Sequence, residues 1–180
     1  MFSHRIDDKL QLRLLVHEHA SQFFDLAFHN RRHIAEWMFW IDENFSRSEA
    51  EEHIQKSLER LASHQGFEAG IWFEDQLAGC IKFHYFDWEH RNTEIGFWLG
   101  AKFQGSGTAT RACAAMVNHA FRELGMHRVE MRCMSENVRS RRIPQRLNFV
   151  EEGLLRRVRW RMDHFDDQVI YGMLAAEWQG

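Results

Sequence analysis

The feature that most constrains the fold is segment 109–124, which has one apolar face running through about four helical turns. The apolar residues of that face are three or four positions apart: Ala109, Ala112, Cys113, Met116, Val117, Ala120, Phe121 and Leu124. Such a helix is stable only when its apolar face packs against another layer. A loop at 100–107 and a short apolar strand at 94–99 precede it, and Gly125 is its expected end. This order predicts an α/β domain in which the helix covers a sheet.

Alternating and helically spaced apolar residues predict the remaining elements, in the order β-αα-βββ-α-β-α-ββ. The expected elements are a strand or hairpin at 4–15, helices at about 17–38, 46–64 and 138–147, and strands at 67–73, 77–86, 127–133, 149–160 and 168–174. Ser46 and Glu49 are spaced as a capping box for the second helix. Because no Gly/Ser-rich linker or repeat interrupts the pattern, we expect one domain over residues 1–180 with a mixed sheet.

Charge and cysteine usage restrict the class of protein. The chain has 23 Lys and Arg against 26 Asp and Glu, a net charge of −3, which argues against a protein built mainly to bind nucleic acid. Cys80, Cys113 and Cys133 lie far apart without a CxxC pair, as in a reduced cytosolic chain. The N-terminal segment is too charged for a signal peptide, and no segment reaches the roughly 18 apolar residues of a membrane span. We therefore expect a cytoplasmic protein with no membrane partner.

Metal binding and a cysteine nucleophile are both disfavoured. Among 12 histidines there is no HExxH motif. His29 and His33 have helical i, i+4 spacing but no visible third ligand, so a solvated helix face and no metal are expected. Cys113 belongs to the apolar helix face and is expected in the core, which disfavours a covalent cysteine intermediate.

The loop Gln104-Gly105-Ser106-Gly107-Thr108-Ala109 is the most informative segment. Its two glycines permit a tight turn in which successive N–H groups converge on an anion at the positive end of the following helix. The segment matches neither a Walker loop nor a dinucleotide-binding fingerprint. Taken alone it is either a phosphate cradle or a plain turn.

Two segments together resemble the GNAT acetyltransferase superfamily. Glu94-Ile-Gly-Phe-Trp-Leu-Gly and the following Phe103-Gln-Gly-Ser-Gly-Thr-Ala resemble its acetyl-CoA motif, whose loop is Arg/Gln-x-x-Gly-x-Gly/Ala. The segment 137–153 is similar to the second signature, especially in the branch of the ribosomal-protein N-terminal acetyltransferases. Asn148 stands where the family usually has Gly, and Asn is the next most tolerant residue of a left-handed turn. The resemblance covers nearly the whole chain.

The resemblance implies a mainly antiparallel mixed sheet flanked by helices, with the strands at 94–99 and 127–133 splayed apart. It implies direct transfer of acetyl from acetyl-CoA to a primary amine, here the amino terminus of a protein or peptide such as a ribosomal protein. The implied cofactor-binding residues are Phe97, Trp98, Leu99, Gln104, Gly105, Ser106, Gly107, Thr108, Ala109 and Asn137. The exposed-looking late strands favour a homodimer.

Two residues are the candidate catalytic groups. An α-amino group has a pKa of about 8, so a carboxylate acting through water suffices as base. Glu94 is the first candidate for this base, and His84 is the second. The ribosomal branch has its own base on the penultimate strand, where this chain has Arg159. By resemblance, Ser140 protonates the thiolate leaving group and Asn137 bonds the pantetheine. Either residue is alternatively only a helix cap.

Other functions remain open at this stage. They are acetylation of a small amine such as a polyamine, an amino acid or an aminoglycoside, a non-catalytic CoA-binding module, and a ribosome- or RNA-associated module. The last rests on eight Arg against two Glu in residues 139–161. Arg139, Arg141 or Arg142 is expected to meet the 3′-phosphate of CoA. The aromatic segment 37–40 is expected beside the acceptor cleft, half of it in the core.

Overall fold

The computed structural model describes residues 2–161 and 163–180. Their strands form one eight-stranded sheet in the order β1-β2-β3-β4-β5-β6-β8-β7, in which only β5 and β6 pair in parallel. The strands are β1 Ser3–Arg5, β2 Leu10–Leu14, β3 Phe67–Phe73, β4 Gln76–Asp87, β5 Asn92–Leu99, β6 Arg128–Met134, β7 Val150–Arg161 and β8 His164–Leu174. The helices are α1 Ala20–His29, α2 Arg31–Ala35, α3 Arg47–Ala62, α4 Thr108–Arg122 and α5 Val138–Arg146.

The sheet separates two apolar cores because alternate residues of a strand point to opposite faces. On β3, Ala69 and Ile71 pack with the buried face of α4, whereas Trp72 packs with α1 and α3. The predicted apolar face of α4 is confirmed, and Cys113 within it is fully buried. Gly125 follows α4 with a φ of +64°, as expected for a residue ending a helix.

The predicted second helix is confirmed with its cap. Helix α3 begins after Ser46, whose hydroxyl accepts a hydrogen bond from the N–H of Glu49 at 3.3 Å. The Ser46 N–H in turn donates to the Glu49 carboxylate at 2.8 Å. This reciprocal pair is the capping box inferred from the spacing.

The prediction of one continuous helix over 17–38 was wrong. A short 3₁₀ turn at His17–His19 leads into α1, which ends before Asn30, and the short α2 follows. The Asn30 side chain donates to the Leu26 carbonyl at 2.8 Å and accepts from the Ala101 N–H at 2.9 Å. Its amide thus closes the end of α1 and fixes it to the loop after β5, a contact between distant segments that helical spacing does not reveal.

Strand β8 begins at His164, four residues before the predicted start at 168. Its first residues pair with the end of β7, including Trp160 with Phe165. Both aromatic rings are about half exposed and contact each other edge to face, with centroids 4.8 Å apart. Because the residues that this part of the hairpin buries are the charged Arg161 and Asp166, the segment lacks the apolar alternation from which strands are predicted.

None of the described helices is long and apolar enough to cross a membrane.

Candidate active site

Strands β5 and β6 part at the centre of the sheet. They pair with each other only from Asn92 with Arg128 to Glu94 with Glu130, and beyond these residues the facing edges of the two strands are not paired. The predicted splaying of these strands is therefore confirmed. Unpaired strand edges expose N–H and C=O groups that an extended ligand can pair with.

A cavity of about 270 Å³, which we call the strand cavity, opens where the two strands diverge. Titratable side chains and aromatic rings line much of its wall, together with the first turn of α5. The lining residues include Trp37, Met38, Phe39, Trp40, Glu68, Cys80, Lys82, His84, Glu94, Phe97, Trp98, Arg132, Cys133, Asn137, Ser140 and Arg159.

A second cavity of about 900 Å³, the loop cavity, lies against the glycine loop and the start of α4. Its lining includes His33, Phe97, Trp98, Leu99, Gln104, Gly105, Gly107, Thr108, Ala109, Asn137, Arg139, Ser140, Arg142 and Arg146. Phe97, Trp98, Asn137 and Ser140 line both cavities, so the two spaces meet at the splayed strands.

The glycine loop has the backbone geometry of an anion cradle. Gly105 and Gly107 have φ values of +85° and +77°, and a Cβ placed on either would meet no atom within 4 Å. Glycine is therefore required at these two positions by the backbone conformation and not by a lack of space for a side chain. Arg111 donates the first intrahelical bond, to the Gly107 carbonyl. The N–H groups of Thr108, Ala109 and Thr110 precede that bond and so have no acceptor within the helix.

Gln104 connects this loop to two helices. Its side-chain amide donates to His33 Nε2 at 2.5 Å, and its carbonyl oxygen accepts from Arg139 at 3.2 Å. His33 was expected on a solvated face but is half-buried in this contact, whereas His29 is exposed. Among residues 2–161 and 163–180, no three His, Cys, Asp or Glu side chains are grouped as metal ligands would be.

Glu94 is the last residue of β5 that pairs with β6, and its carboxylate faces the strand cavity. Its side chain is 14% exposed, Arg132 Nε lies 3.5 Å from its Oε2, and His84 Nε2 lies 4.0 Å from its Oε1. Burial raises the pKa of Glu94, which the guanidinium of Arg132 only partly opposes. Burial also lowers the pKa of His84 to about 4, so His84 is neutral near pH 7. The two predicted candidates for the base are therefore neighbours.

Ser140 lies in the first turn of α5 with its hydroxyl beside the strand cavity. Its Oγ is 3.3 Å from Cys133 Sγ, and its N–H donates to the Asn137 side chain at 3.1 Å. Asn137, not Ser140, therefore caps the helix, which removes the structural alternative considered for the serine. Burial raises the pKa of the Cys133 thiol to about 11, so this neighbour is uncharged near neutral pH.

Residues 9–150 match the family model described as an acetyltransferase (GNAT) domain. The chain belongs to this family. It is 32% identical over 181 residues to YdaF of Bacillus subtilis (strain 168), whose name assigns it provisionally to the ribosomal N-acetyltransferases; the match covers 100% of this chain and 99% of YdaF. It is 25% identical to the ribosomal-protein-serine acetyltransferase of Escherichia coli (strain K12), covering 94% and 95% of the two chains.

The fold of this GNAT N-acetyltransferase is also that of a solved relative. The structure of RimL, a ribosomal α-N-protein acetyltransferase in complex with coenzyme A, superposes with a TM-score of 0.93. The superposition covers 96% of this chain and 98% of RimL at 21% identity. At that identity the likeness establishes the shared fold, including the mixed, mainly antiparallel sheet.

Sequence reasoning missed one polar pair in the acetyltransferase. The Glu68 carboxylate is only 6% exposed and lies 2.8 Å from His53 Nε2. The His53 ring packs against both Phe23 and Trp40, with its centroid 5.0 Å from each of theirs. Burial alone would raise the pKa of Glu68, but His53 and Lys82 outweigh it and the pKa is lowered. No motif signals this pair, because its partners lie on α3 and β3 and meet only in the folded chain.

The structure shows which of the arginines expected to bind CoA or a partner are already bonded within the protein. Arg141 bonds the Tyr171 hydroxyl and the Ser135 carbonyl, both at 3.0 Å, so its guanidinium is engaged within the protein. Arg139 and Arg142 line the loop cavity instead. Arg161 forms a buried pair with Asp166, which leaves it little freedom to attract an external partner.

The aromatic segment 37–40 was expected beside the acceptor cleft, and it lines the strand cavity. Phe39 is 50% exposed, whereas Trp40 packs against Phe23 in the core. Two arginines of β7 approach this segment from the other side: Arg159 lies 5.6 Å from the Phe39 centroid and Arg161 lies 5.3 Å from the Trp37 centroid. Cation–π contacts thus connect the segment to the β7–β8 hairpin across the cavity.

Proposed function

We propose that this acetyltransferase transfers acetyl directly from acetyl-CoA to the amino terminus of a protein or peptide. The observation that carries the proposal is the meeting of the two cavities where β5 and β6 part. One cavity offers main-chain N–H groups and arginines, as a phosphorylated ligand requires. The other offers a buried carboxylate and a hydroxyl, as proton transfer requires.

The residues of the loop cavity fit coenzyme A. The N–H groups of 105–109 suit the pyrophosphate, and Gln104 closes the loop against α5. The edge of β5 that β6 leaves free along Phe97, Trp98 and Leu99 suits the pantetheine arm and the thioester carbonyl. Asn137 lines both cavities and is placed to bond the same arm. Support also comes from RimL, which was solved with coenzyme A.

Two side chains supply the proton transfers in this proposal. Glu94 accepts the proton of the acceptor ammonium through water, and the raised pKa of its carboxyl brings it nearer to that of an amine. Ser140 donates a proton to the departing thiolate sulfur. Transfer is direct because the thiols offer no activated nucleophile: Cys113 is fully buried, and burial raises the pKa of both Cys113 and Cys133.

The names of the relatives support a protein amino terminus as acceptor, and a ribosomal protein is the acceptor class we propose. The volume of the strand cavity, about 270 Å³, suits a chain end or a small amine and not an extended surface. A cytoplasmic location agrees with the free, buried state of Cys80, Cys113 and Cys133.

The deciding experiment is thiol release from acetyl-CoA with a panel of acceptors. We expect peptides with free amino termini to be acetylated with a higher kcat/KM than spermidine, free amino acids or aminoglycosides, and N-blocked peptides to be inert. Faster acetylation of a small amine would contradict the protein acceptor. Binding of CoA without acetylation of any acceptor would favour a non-catalytic module.

We also propose a homodimer through the β7–β8 hairpin. Strand β7 is the edge of the described sheet and carries several large apolar side chains that are about half exposed: Val150, Leu154, Val158 and Trp160. Contiguous exposed apolar groups mark interaction surfaces, and a second β7 edge is the complementary partner. Light scattering should show a dimer that Leu154→Asp dissociates; a wild-type monomer would refute this assembly.

A further inference from the structure

Lys82 and Arg159 are the cations of the strand cavity with no carboxylate within 4 Å among the described residues, although Lys82 stands opposite Glu68 in the strand register. Both line the cavity, and neither forms an ion pair within residues 2–161 and 163–180. Lys82 is half-buried on β4, which makes an unpaired ammonium costly. Arg159 reaches the cavity from β7 and has only the ring of Phe39 beneath it.

The other charged groups of the cavity are satisfied internally. Glu68 bonds His53 at 2.8 Å, and Glu94 lies 3.5 Å from Arg132. Arg132 also bonds Glu130 at 3.0 Å. The lining carries three cations, Lys82, Arg132 and Arg159, against the two carboxylates of Glu68 and Glu94, so its net charge is positive although the protein as a whole is acidic.

The two cations lie close to the place where acetyl transfer is proposed. In the sheet register, Lys82 pairs with Gly96, which follows Glu94 by two residues and shares its face. Neighbouring strands are about 4.8 Å apart, so Lys82 lies one strand away from Glu94, the proposed base. Lys82 and Arg159 line the same cavity as His84 and Glu94, which places them around the same centre. A group bound by them would be a near neighbour of the reacting amine.

We propose that Lys82 and Arg159 bind a carboxylate that the acceptor carries next to its reacting amine. An ammonium and a planar guanidinium are the side chains that recognise such an anion, the lysine as a point charge and the arginine through paired N–H donors. The carboxylate has two sources: an acidic side chain in the second position of a peptide, or the α-carboxylate of a free amino acid. This inference rests on the proposed acetyl transfer and specifies its substrate.

Matched acceptors test the proposal and separate the two sources. One pair is a Ser-Asp peptide and its Ser-Asn counterpart, and the other is serine and serinamide. Hydrogen bonds to charged groups contribute about 1.5–3 kcal/mol, so kcat/KM should favour the acidic member of one pair by about 10- to 100-fold. A preference within the first pair assigns the carboxylate to a peptide side chain, and one within the second pair assigns it to an amino acid.

Charge-removing variants then assign the preference to these residues. Lys82→Met and Arg159→Met should each reduce it severalfold, and the double variant should abolish it. Any change in the pKa of Glu94 affects both members of a pair equally and cancels in the ratio. Lys56→Met, on an exposed lysine of α3, is the control and should retain the full preference. Arg159→Glu, at an exposed position, should reverse the preference toward a Ser-Lys peptide.

Equal rates for the acidic and neutral acceptors in the wild type would overturn the inference, as would a preference that survives in the double variant. Calorimetric binding of the same acceptors in the presence of CoA supplies a readout without turnover. If no acceptor is acetylated, the proposed function fails, whereas tighter binding of the acidic member, lost in the double variant, still supports the charge recognition. Equal binding of both members refutes it.

Discussion

The two cavities depend on different groups of the chain, the loop cavity on main-chain groups and the strand cavity on side chains. The loop cavity depends on main-chain geometry: positive φ at Gly105 and Gly107, and the free N–H groups at the start of α4. The strand cavity depends on side chains from several strands and a helix, among them Glu68, Glu94 and Ser140. The loop cavity therefore depends on the conformation of one loop, whereas the strand cavity changes with each substitution among its lining side chains.

This difference separates binding from chemistry in a way that experiments can measure. Substitutions in the strand cavity should change turnover and acceptor choice with little effect on CoA affinity. Substitutions in the glycine loop should lower CoA affinity with little effect on turnover or acceptor choice. A variant that changed both equally would show that the two cavities act as one site.

The largest effect is expected for Glu94→Gln. Loss of a positioned proton acceptor should lower kcat at neutral pH by about 10²–10⁴-fold, with CoA affinity unchanged. The loss should shrink as the pH approaches the pKa of the acceptor amine, because the amine then arrives deprotonated. Steady-state thiol release across pH 6–9 measures both features, and Glu89→Gln, at an exposed residue of the turn before β5, is the control.

The pH dependence of wild-type activity should show the ionisation of the Glu94 carboxyl. A base must be ionised to accept a proton, and burial raises the pKa of Glu94 above its ordinary value of 4.5. Activity should therefore fall as the pH drops through that raised pKa, in addition to the fall caused by protonation of the amine. Wild-type turnover by Glu94→Gln at neutral pH would exclude Glu94 as base and leave His84 or a water chain.

The next largest effect is expected for substitutions in the glycine loop. The double variant Gly105→Val, Gly107→Val forces two β-branched residues into left-handed conformations, each costing about 1–3 kcal/mol. Because the loop must then change shape, affinity for CoA should fall at least about tenfold while kcat at saturation changes less. Gly153→Val is a matched control, since Gly153 lies on an exposed strand without a positive φ and a Cβ there meets nothing within 4 Å. Undiminished affinity in a folded double variant would remove the loop from the binding site.

A smaller effect is expected for Ser140→Ala. If the hydroxyl protonates the leaving thiolate, kcat should fall by about 10²-fold, the low end for a proton-transfer group, with CoA affinity nearly constant. A cofactor analogue with a less basic leaving group should restore part of the rate. Ser48→Ala, at an exposed position of α3, controls for loss of a hydroxyl. Equal losses with both cofactors would argue that Ser140 only positions its neighbours.

The same contrast explains how much could be predicted from the sequence. Helix α4, the glycine loop and the strand before it form one local pattern, so their positions were predicted closely. The break at Asn30 and the pair of Glu68 with His53 depend on contacts between distant segments. Glu68 could not be recognised as buried, because both faces of its strand are covered and the residues around it show no alternation that would single out a charged side chain. Prediction succeeded where the constraint was local and failed where packing supplied it.

The smallest expected effect tests the boundary between the cavities, at Asn137. Its side-chain oxygen caps α5 by accepting from the Ser140 N–H, and the residue lines both cavities. Asn137→Ala should lose about 1 kcal/mol of stability through the cap, which denaturant unfolding measures. Asn137→Ser keeps a capping oxygen and should recover most of that stability. CoA affinity then decides the role: if Asn137 also bonds the pantetheine, Asn137→Ser should bind CoA as weakly as Asn137→Ala. Recovery of affinity together with stability would make Asn137 a cap alone.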